Sequence, residues 1–139
     1  MKNSSKRIEI PIQVSADQAW EVIGAIDGVE KWFPEVITAC RVEGNKRYCT
    51  TDQGSFEEDI LKVDHENRTF KYGIKEQNLL PIRDIIATMQ VHDGPQPSIS
   101  WEWNFVVEEE NEATVLEAFD GLGQMGVSGI ERFASELVA

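Results

Sequence analysis

The stretch "SISWEWNF", Ser98 to Phe105, sets four large apolar residues in strict alternation. In an extended strand Ile99, Trp101, Trp103 and Phe105 share one face, and Ser100, Glu102 and Asn104 share the other. A sheet with a face this apolar needs a cover. The cover has to come from elsewhere in the chain.

Period-two patterning extends through most of the sequence before this stretch. "RIEIPIQV", Arg7 to Val14, reads as a first strand, with Pro11 placing it at a sheet edge or at a position whose N–H is free. "VITACRVEG" and "KRYCTTD" read as a hairpin, followed by strands in "GSFEEDILKVDHENR", "TFKYGIKE" and "RDIIATMQVHD". "EATVLEAFD" reads as one more strand, reached through an acidic hairpin tip at Glu108 to Glu112. Two segments change to helical period. Ser15 and Gln18 form a capping-box pattern ahead of "ADQAWEVIGAI", where Ala19, Trp20, Ile23 and Ile26 recur at helical spacing until Asp27-Gly28 breaks the run. "VEKWFP" reads as a second short helix stopped by Pro34. At the other end, Asp120 caps "GLGQMGVSGIERFASELVA", with Leu122, Met125, Ile130, Phe133 and Leu137 on one stripe. The order is a strand, two short helices, six or so strands and one long helix, an α+β layout. The C-terminal helix is the only long element able to cover the sheet.

A chain of 139 residues is expected to form one domain, spanning 1–139, and can bury roughly two thirds of its unfolded surface. A net charge of −12 repels phosphate backbones and anionic membranes, which argues against nucleic acid as a partner. No run reaches the length of a membrane span, and "MKNSSKRIEI" has no signal-peptide core. A cytoplasmic location with reduced thiols is expected. A two-residue turn at Gly44-Asn45 places Cys40 opposite Cys49 at a non-hydrogen-bonded position. That geometry admits a disulfide, but two reduced, half-buried thiols are the preferred reading. With only His65 and His92 besides these cysteines, no zinc spacing exists, and neither a metal nor a cofactor is expected.

Several residues stand out as candidates for chemistry. "GLGQMG" matches a dinucleotide fingerprint, yet no further strand or acidic residue follows it, so that reading fails. Gly126 and Gly129 instead lie on the inward stripe of the terminal helix. They either leave volume beneath it or let helix and sheet approach closely. Within the cluster Glu57, Glu58 and Asp59, alternation turns Glu58 away from its neighbours. If the turn is Asp52-Gln53, Arg47 stands directly opposite Glu58, either as an inward polar anchor or as a surface ion pair, whereas a bulge at Gly54 shifts the register by one residue. Tyr72 shares a face with Phe70 and Ile74. Arg83 shares parity with Ile85, Ala87, Met89 and Val91, at the mouth of the same face. No Ser–His–Asp arrangement can be assembled.

Taken in order, these pieces resemble the START-like (SRPBCC) superfamily, in its polyketide cyclase/dehydrase branch, over nearly the whole length. The resemblance rests on "VSADQAWEVIGAIDGVEKWFP", on Arg47, Gly54 and Glu58, on Asp64, Arg68 and Tyr72 in "DHENRTFKY", on Pro81 and on "SISWEWNF". It implies a helix-grip fold: a curved antiparallel sheet wrapped around a long C-terminal helix, enclosing a hydrophobic cavity for a small apolar or amphipathic ligand.

Two functions are then expected to compete. In the first, preferred reading the chain binds a small hydrophobic molecule of polyketide, lipid or aromatic type. Arg47, Glu58, Tyr72 and Arg83 hold its polar end, while Met89, Trp101, Trp103, Met125, Gly126, Gly129 and Phe133 form the apolar surround. In the second the chain is a cyclase/dehydratase, with Glu58 as acid/base and Arg47 or Tyr72 stabilising an enolate. The sequence is compatible with a homodimer and does not fix the oligomeric state.

Overall fold

Seven strands form one antiparallel sheet in the order β1-β7-β6-β5-β4-β3-β2. They are β1 (Lys2–Pro11), β2 (Ala39–Glu43), β3 (Lys46–Thr51), β4 (Gly54–Asp64), β5 (Thr69–Ile74), β6 (Ile82–His92) and β7 (Ser98–Val107). Two short helices, α1 (Ala16–Gly24) and α2 (Val29–Trp32), follow β1, and a long helix, α3 (Glu109–Leu137), follows β7. The computed structural model describes residues 1–137. From β2 to β7 each strand pairs with its neighbour in sequence, through a turn or, between β5 and β6, a loop over 75–81. Only β1 makes a distant pairing, lying along β7 from Lys2↔Val107 to Pro11↔Ser98. As an edge strand it tolerates the missing N–H of Pro11. The segment holding α1 and α2 carries the chain from this edge to the opposite one, and α3 packs against α1, α2, β1 and β7.

The aromatic face of β7 is the core. Ile99, Trp101, Trp103 and Phe105 are all buried, whereas Glu102 and Asn104 are not. Trp103 stacks on Trp101 at 4.8 Å between ring centroids and on Phe119 of α3 at 4.6 Å. Val115, Phe119, Val127 and Ile130 line the buried side of α3, each contributing about 1.5–3 kcal/mol through burial.

Three expectations need correction. "EATVLEAFD" is helix, because α3 starts at Glu109 and spans 29 residues. A short apolar window fits either period. Here Val115, Phe119 and Leu122 follow the helical one, and Glu109, Glu110 and Glu112 suit a helix N-terminus rather than a hairpin tip. Next, α1 ends at Gly24 rather than continuing through Ile26, which takes a left-handed φ of 71°. Finally, the strand parity assumed for Arg83 breaks. The β6–β7 register shifts between Arg83 and Ile86, and Asp84 has φ 54°. This bulge turns Ile82 and Ile85 inward and leaves Arg83 in solvent beside Asp84 at 3.8 Å.

The glycines of α3 serve close approach. A Cβ on Gly126 would lie 2.7 Å from the Trp101 ring, and one on Gly129 would overlap the Trp32 carbonyl oxygen. The helix descends onto the sheet and α2 at these points, so no void lies beneath them. Met125 is 39% exposed, off the buried stripe, and Phe133 packs half-buried at the core's margin. No helix among the described residues is long and apolar enough to cross a membrane.

Candidate functional site

A cavity of about 110 Å³ lies between the sheet and the helices. This is far beyond the space one water needs. Its position follows from where the elements touch. At Gly126 and Gly129, α3 closes tightly on Trp101 and Trp32, whereas toward β3, β4 and β5 the sheet parts from the helix. The opening is filled from above by Val22, Ile23, Ile26, Val29, Trp32 and Phe33 of the α1–α2 region. Leu79 and Leu80 of the β5–β6 loop close one side, while Phe119 and Leu122 of α3 close another. The sheet supplies Phe56, Phe70, Tyr72, Ile85, Met89, Trp101 and Trp103.

Among the described residues, Arg47 and Glu58 are the only charged side chains in this lining. The β3–β4 register pairs them directly, as the turn at Asp52-Gln53 requires. Arg47 Nε donates to Glu58 Oε1, and Arg47 Nη1 donates to the Ile26 carbonyl oxygen at 2.6 Å. These bonds engage Nε and Nη1; Nη2 has no partner among the described residues. The guanidinium carbon lies 5.0 Å from the Phe70 ring centroid and 5.5 Å from that of Tyr72, within cation–π range. Burial works most strongly against the Arg47 charge. The charge and hydrogen bond of Glu58 outweigh it, so the Arg47 pKa rises.

Tyr72 completes the polar group. Its oxygen accepts from Trp101 Nε1 at 3.2 Å, which leaves the phenolic proton to donate. Burial, reinforced by the Glu58 charge, pushes its pKa up. Tyr72 is therefore a neutral donor at physiological pH. The strained backbone at Ile26 belongs to the same cluster, since its carbonyl is held by Arg47 and its side chain enters the lining.

Arg47, Glu58, Tyr72, Met89, Trp101 and Trp103 thus meet in one chamber. Arg83, Met125, Gly126, Gly129 and Phe133 lie outside the lining. Sequence reasoning missed Ile26, Phe33, Phe56, Leu79 and Leu80. The last two are aimed by Gln77, whose Oε1 accepts from both of their N–H groups and whose Nε2 donates to the carbonyls of Leu80 and Ile82. The loop segment "QNLL" carries no periodic signal that would have revealed this. Among the described residues no cluster of three His, Cys, Asp or Glu side chains is placed to hold a metal ion.

The sequence profile described as polyketide cyclase/dehydrase and lipid transport matches residues 4–137. The chain belongs to this family. The START-like resemblance and the helix-grip architecture are thereby borne out. No curated protein matches the sequence significantly. Among solved structures, an uncharacterized protein from Bacillus thuringiensis is similar at 19% identity and a TM-score of 0.79, covering 96% of this chain and 98% of that one. XoxI from Bacillus cereus is similar at 21% identity and 0.77, covering 100% and 99%. Norcoclaurine synthase from Thalictrum flavum, solved with dopamine and hydroxybenzaldehyde, is similar at 17% identity and 0.76, covering 97% and 88%. At these identities the likeness shows the fold.

Proposed function

We propose that the chain binds a small, mostly apolar molecule in the cavity, with its polar end on Arg47, Glu58 and Tyr72. The observation that carries this reading is a buried ion pair placed on the wall of an otherwise apolar chamber. Two buried charges are expensive to desolvate, and well-packed apolar residues would serve stability as well or better. A pair that also borders open volume has a use for its remaining bonding capacity. The neutral phenol of Tyr72 offers a proton to a carbonyl, hydroxyl or ether oxygen, and Arg47 Nη2 offers another. Apolar walls supply most of the affinity, at about 25 cal/mol per Å² buried.

The volume of about 110 Å³ limits the ligand. A cavity of about 150 Å³ holds benzene. A single-ring molecule therefore matches this chamber with small adjustments, and a longer lipid or polyketide needs the Leu79–Leu80 loop or the α1–α2 segment to move outward. The single-ring compounds bound to norcoclaurine synthase support the smaller class. The test is native mass spectrometry of the freshly purified chain, followed by titration of its tryptophan fluorescence with hydroxybenzaldehyde and with a fatty acid. Absence of any co-purified mass, together with flat titrations for both probes, rejects the proposal.

A second reading, a cyclase/dehydratase-type enzyme, draws on the convergence of a carboxylate, a guanidinium and a phenol on one wall. Glu58 would move the proton, with Arg47 or Tyr72 stabilising the enolate. Glu58→Gln with unchanged turnover of a β-diketone substrate rejects it.

A further inference from the structure

Outside the polar cluster, the structure brings the chain's two cysteines together. We propose that Cys40 and Cys49 form a reversible dithiol–disulfide site at the margin of the cavity, oxidised by hydrogen peroxide and re-reduced by small thiols. They are direct cross-strand partners between β2 and β3, with sulfurs 3.2 Å apart. Both thiols are free. A disulfide is about 2.05 Å long and accepts the Cα separations of facing antiparallel residues, so the sulfurs need to close by only about 1 Å. β2 is an edge strand paired on one side alone, which leaves it room for that shift.

The two thiols are unequal in the way such a site requires. Cys40 is half-buried and borders an open groove with Arg41, Tyr48 and Glu57. Cys49 is buried, belongs to the cavity lining and lies 4.0 Å from Glu58 Oε1. The hydrogen bond shared with Cys49 draws the Cys40 pKa down against its partial burial, with help from the Arg47 charge. The same shared bond, burial and the Glu58 charge push Cys49 up. The shared proton is therefore held more firmly by Cys49, and Cys40, the reachable thiol, ionises the more readily of the two to the reactive thiolate.

The chemistry balances in two steps. The Cys40 thiolate attacks one peroxide oxygen; the O–O bond breaks, a sulfenic acid forms, and hydroxide leaves as water after taking up a proton. Cys49 sulfur then attacks the sulfenic sulfur; the S–S bond forms, the S–O bond breaks, and the departing hydroxide takes the Cys49 proton as a second water. Two thiols are oxidised and one peroxide is reduced. A small thiol in excess reverses the process by exchange through a mixed disulfide.

The chain treated with one equivalent of hydrogen peroxide tests this by intact mass under non-reducing conditions. The expected result is loss of two hydrogens, loss of iodoacetamide uptake at both positions when the chain is alkylated after unfolding in urea, and a linked peptide containing Cys40 and Cys49, all restored by dithiothreitol. Cys49→Ser is expected to stop at a sulfenic acid on Cys40 that dimedone traps. Cys40→Ser is expected to consume peroxide at least roughly tenfold more slowly, because the remaining thiol is buried and protonated. Both thiols still alkylated after treatment would overturn the proposal. So would wild-type Cys40 accumulating as sulfinic acid while Cys49 stays alkylatable.

Discussion

Arg47 and Glu58 are direct partners across β3 and β4, each only 5% exposed, and Arg47 also holds the carbonyl of Ile26, a residue in the left-handed region. One guanidinium thereby ties the sheet to the α1–α2 segment over the cavity. The mutual attraction of a buried pair roughly offsets its desolvation, so the pair adds little net stability, while either partner alone is an uncompensated charge. Arg47→Met is therefore expected to cost about 3–5 kcal/mol in urea unfolding. The double variant Arg47→Met/Glu58→Leu is expected to recover most of that loss. A double variant as unstable as the single one would show that the latch to Ile26, rather than the stranded charge, dominates.

The glycines of α3 separate propensity from packing. Gly121 is exposed and an added Cβ there meets nothing within 4 Å. Gly121→Ala should stabilise the chain by about 0.5–1 kcal/mol, since only the helical preference changes. Gly129→Ala gains the same preference but drives a methyl into the Trp32 carbonyl. It should destabilise by about 1–3 kcal/mol as α2 is forced away. Thermal unfolding of the two variants side by side checks the contrast. Equal shifts would mean that α2 yields freely and that the close approach is not a constraint.

The strand alternation made most of the sheet legible, down to the pairings Cys40↔Cys49 and Arg47↔Glu58, because a two-residue turn fixes register once its position is known. What escaped was local. The bulge at Arg83–Ile86 reverses parity without any glycine or proline to announce it, so Arg83 was assigned to the wrong face. Residues 112 to 120 satisfy both periods in a short window, and the choice between them is made by packing of Val115 and Phe119 against the sheet. The glycine stripe was visible, but whether missing side chains leave a space or draw two surfaces together depends on the distance between backbones. That distance is a property of the assembled fold. The Arg47–Glu58 partnership was legible, but its facing was not, because a cross-strand ion pair on the solvent side has the same alternation and charged residues are rarely buried. Most of the apolar lining outside the strands was not legible, because Ile26, Phe33, Leu79 and Leu80 sit at helix ends and in loops.

Tyr72 and Trp101 form a second buried pair, and its removal has a distinctive signature. Tyr72→Phe deletes the acceptor of the Trp101 indole N–H at 3.2 Å and changes little volume. A buried donor left without a partner costs about 1–3 kcal/mol. The Trp101 side chain is expected to keep its place between Trp32 and Trp103, so the fold survives. Under the ligand-binding reading, the same variant also removes the phenolic donor in the cavity. Its affinity for an oxygen-bearing aromatic probe should fall about tenfold, the equivalent of one neutral hydrogen bond, while an apolar probe of equal size binds unchanged. Equal losses for both probes would assign Tyr72 to structure alone.

At the opposite end of α3, Glu112 fastens the helix start to β1, accepting from Ser4 Oγ at 2.6 Å and from Lys2 Nζ at 3.0 Å. The hydrogen bond from Ser4, then that from Lys2, holds the Glu112 carboxyl below its ordinary value of 4.5. The folded chain therefore binds this proton less readily than the unfolded chain does. The contribution to stability is complete above the unfolded value and is lost as pH falls through 4.5 and then through the lower folded value. Lys2 behaves in the opposite sense. Its pKa is raised above 10.5, chiefly by the hydrogen bond to Glu112, so its contribution is complete below 10.5 and is lost as pH rises through the folded value. Urea midpoints of wild type and Glu112→Gln, measured from pH 3 to pH 7, should differ by a constant amount near neutrality. The gap should narrow steadily below about pH 4.5, as the wild-type carboxyl takes up its proton. A gap that stays constant to the acid end would mean that the Ser4 and Lys2 contacts exchange freely with water and do not hold the helix to the strand.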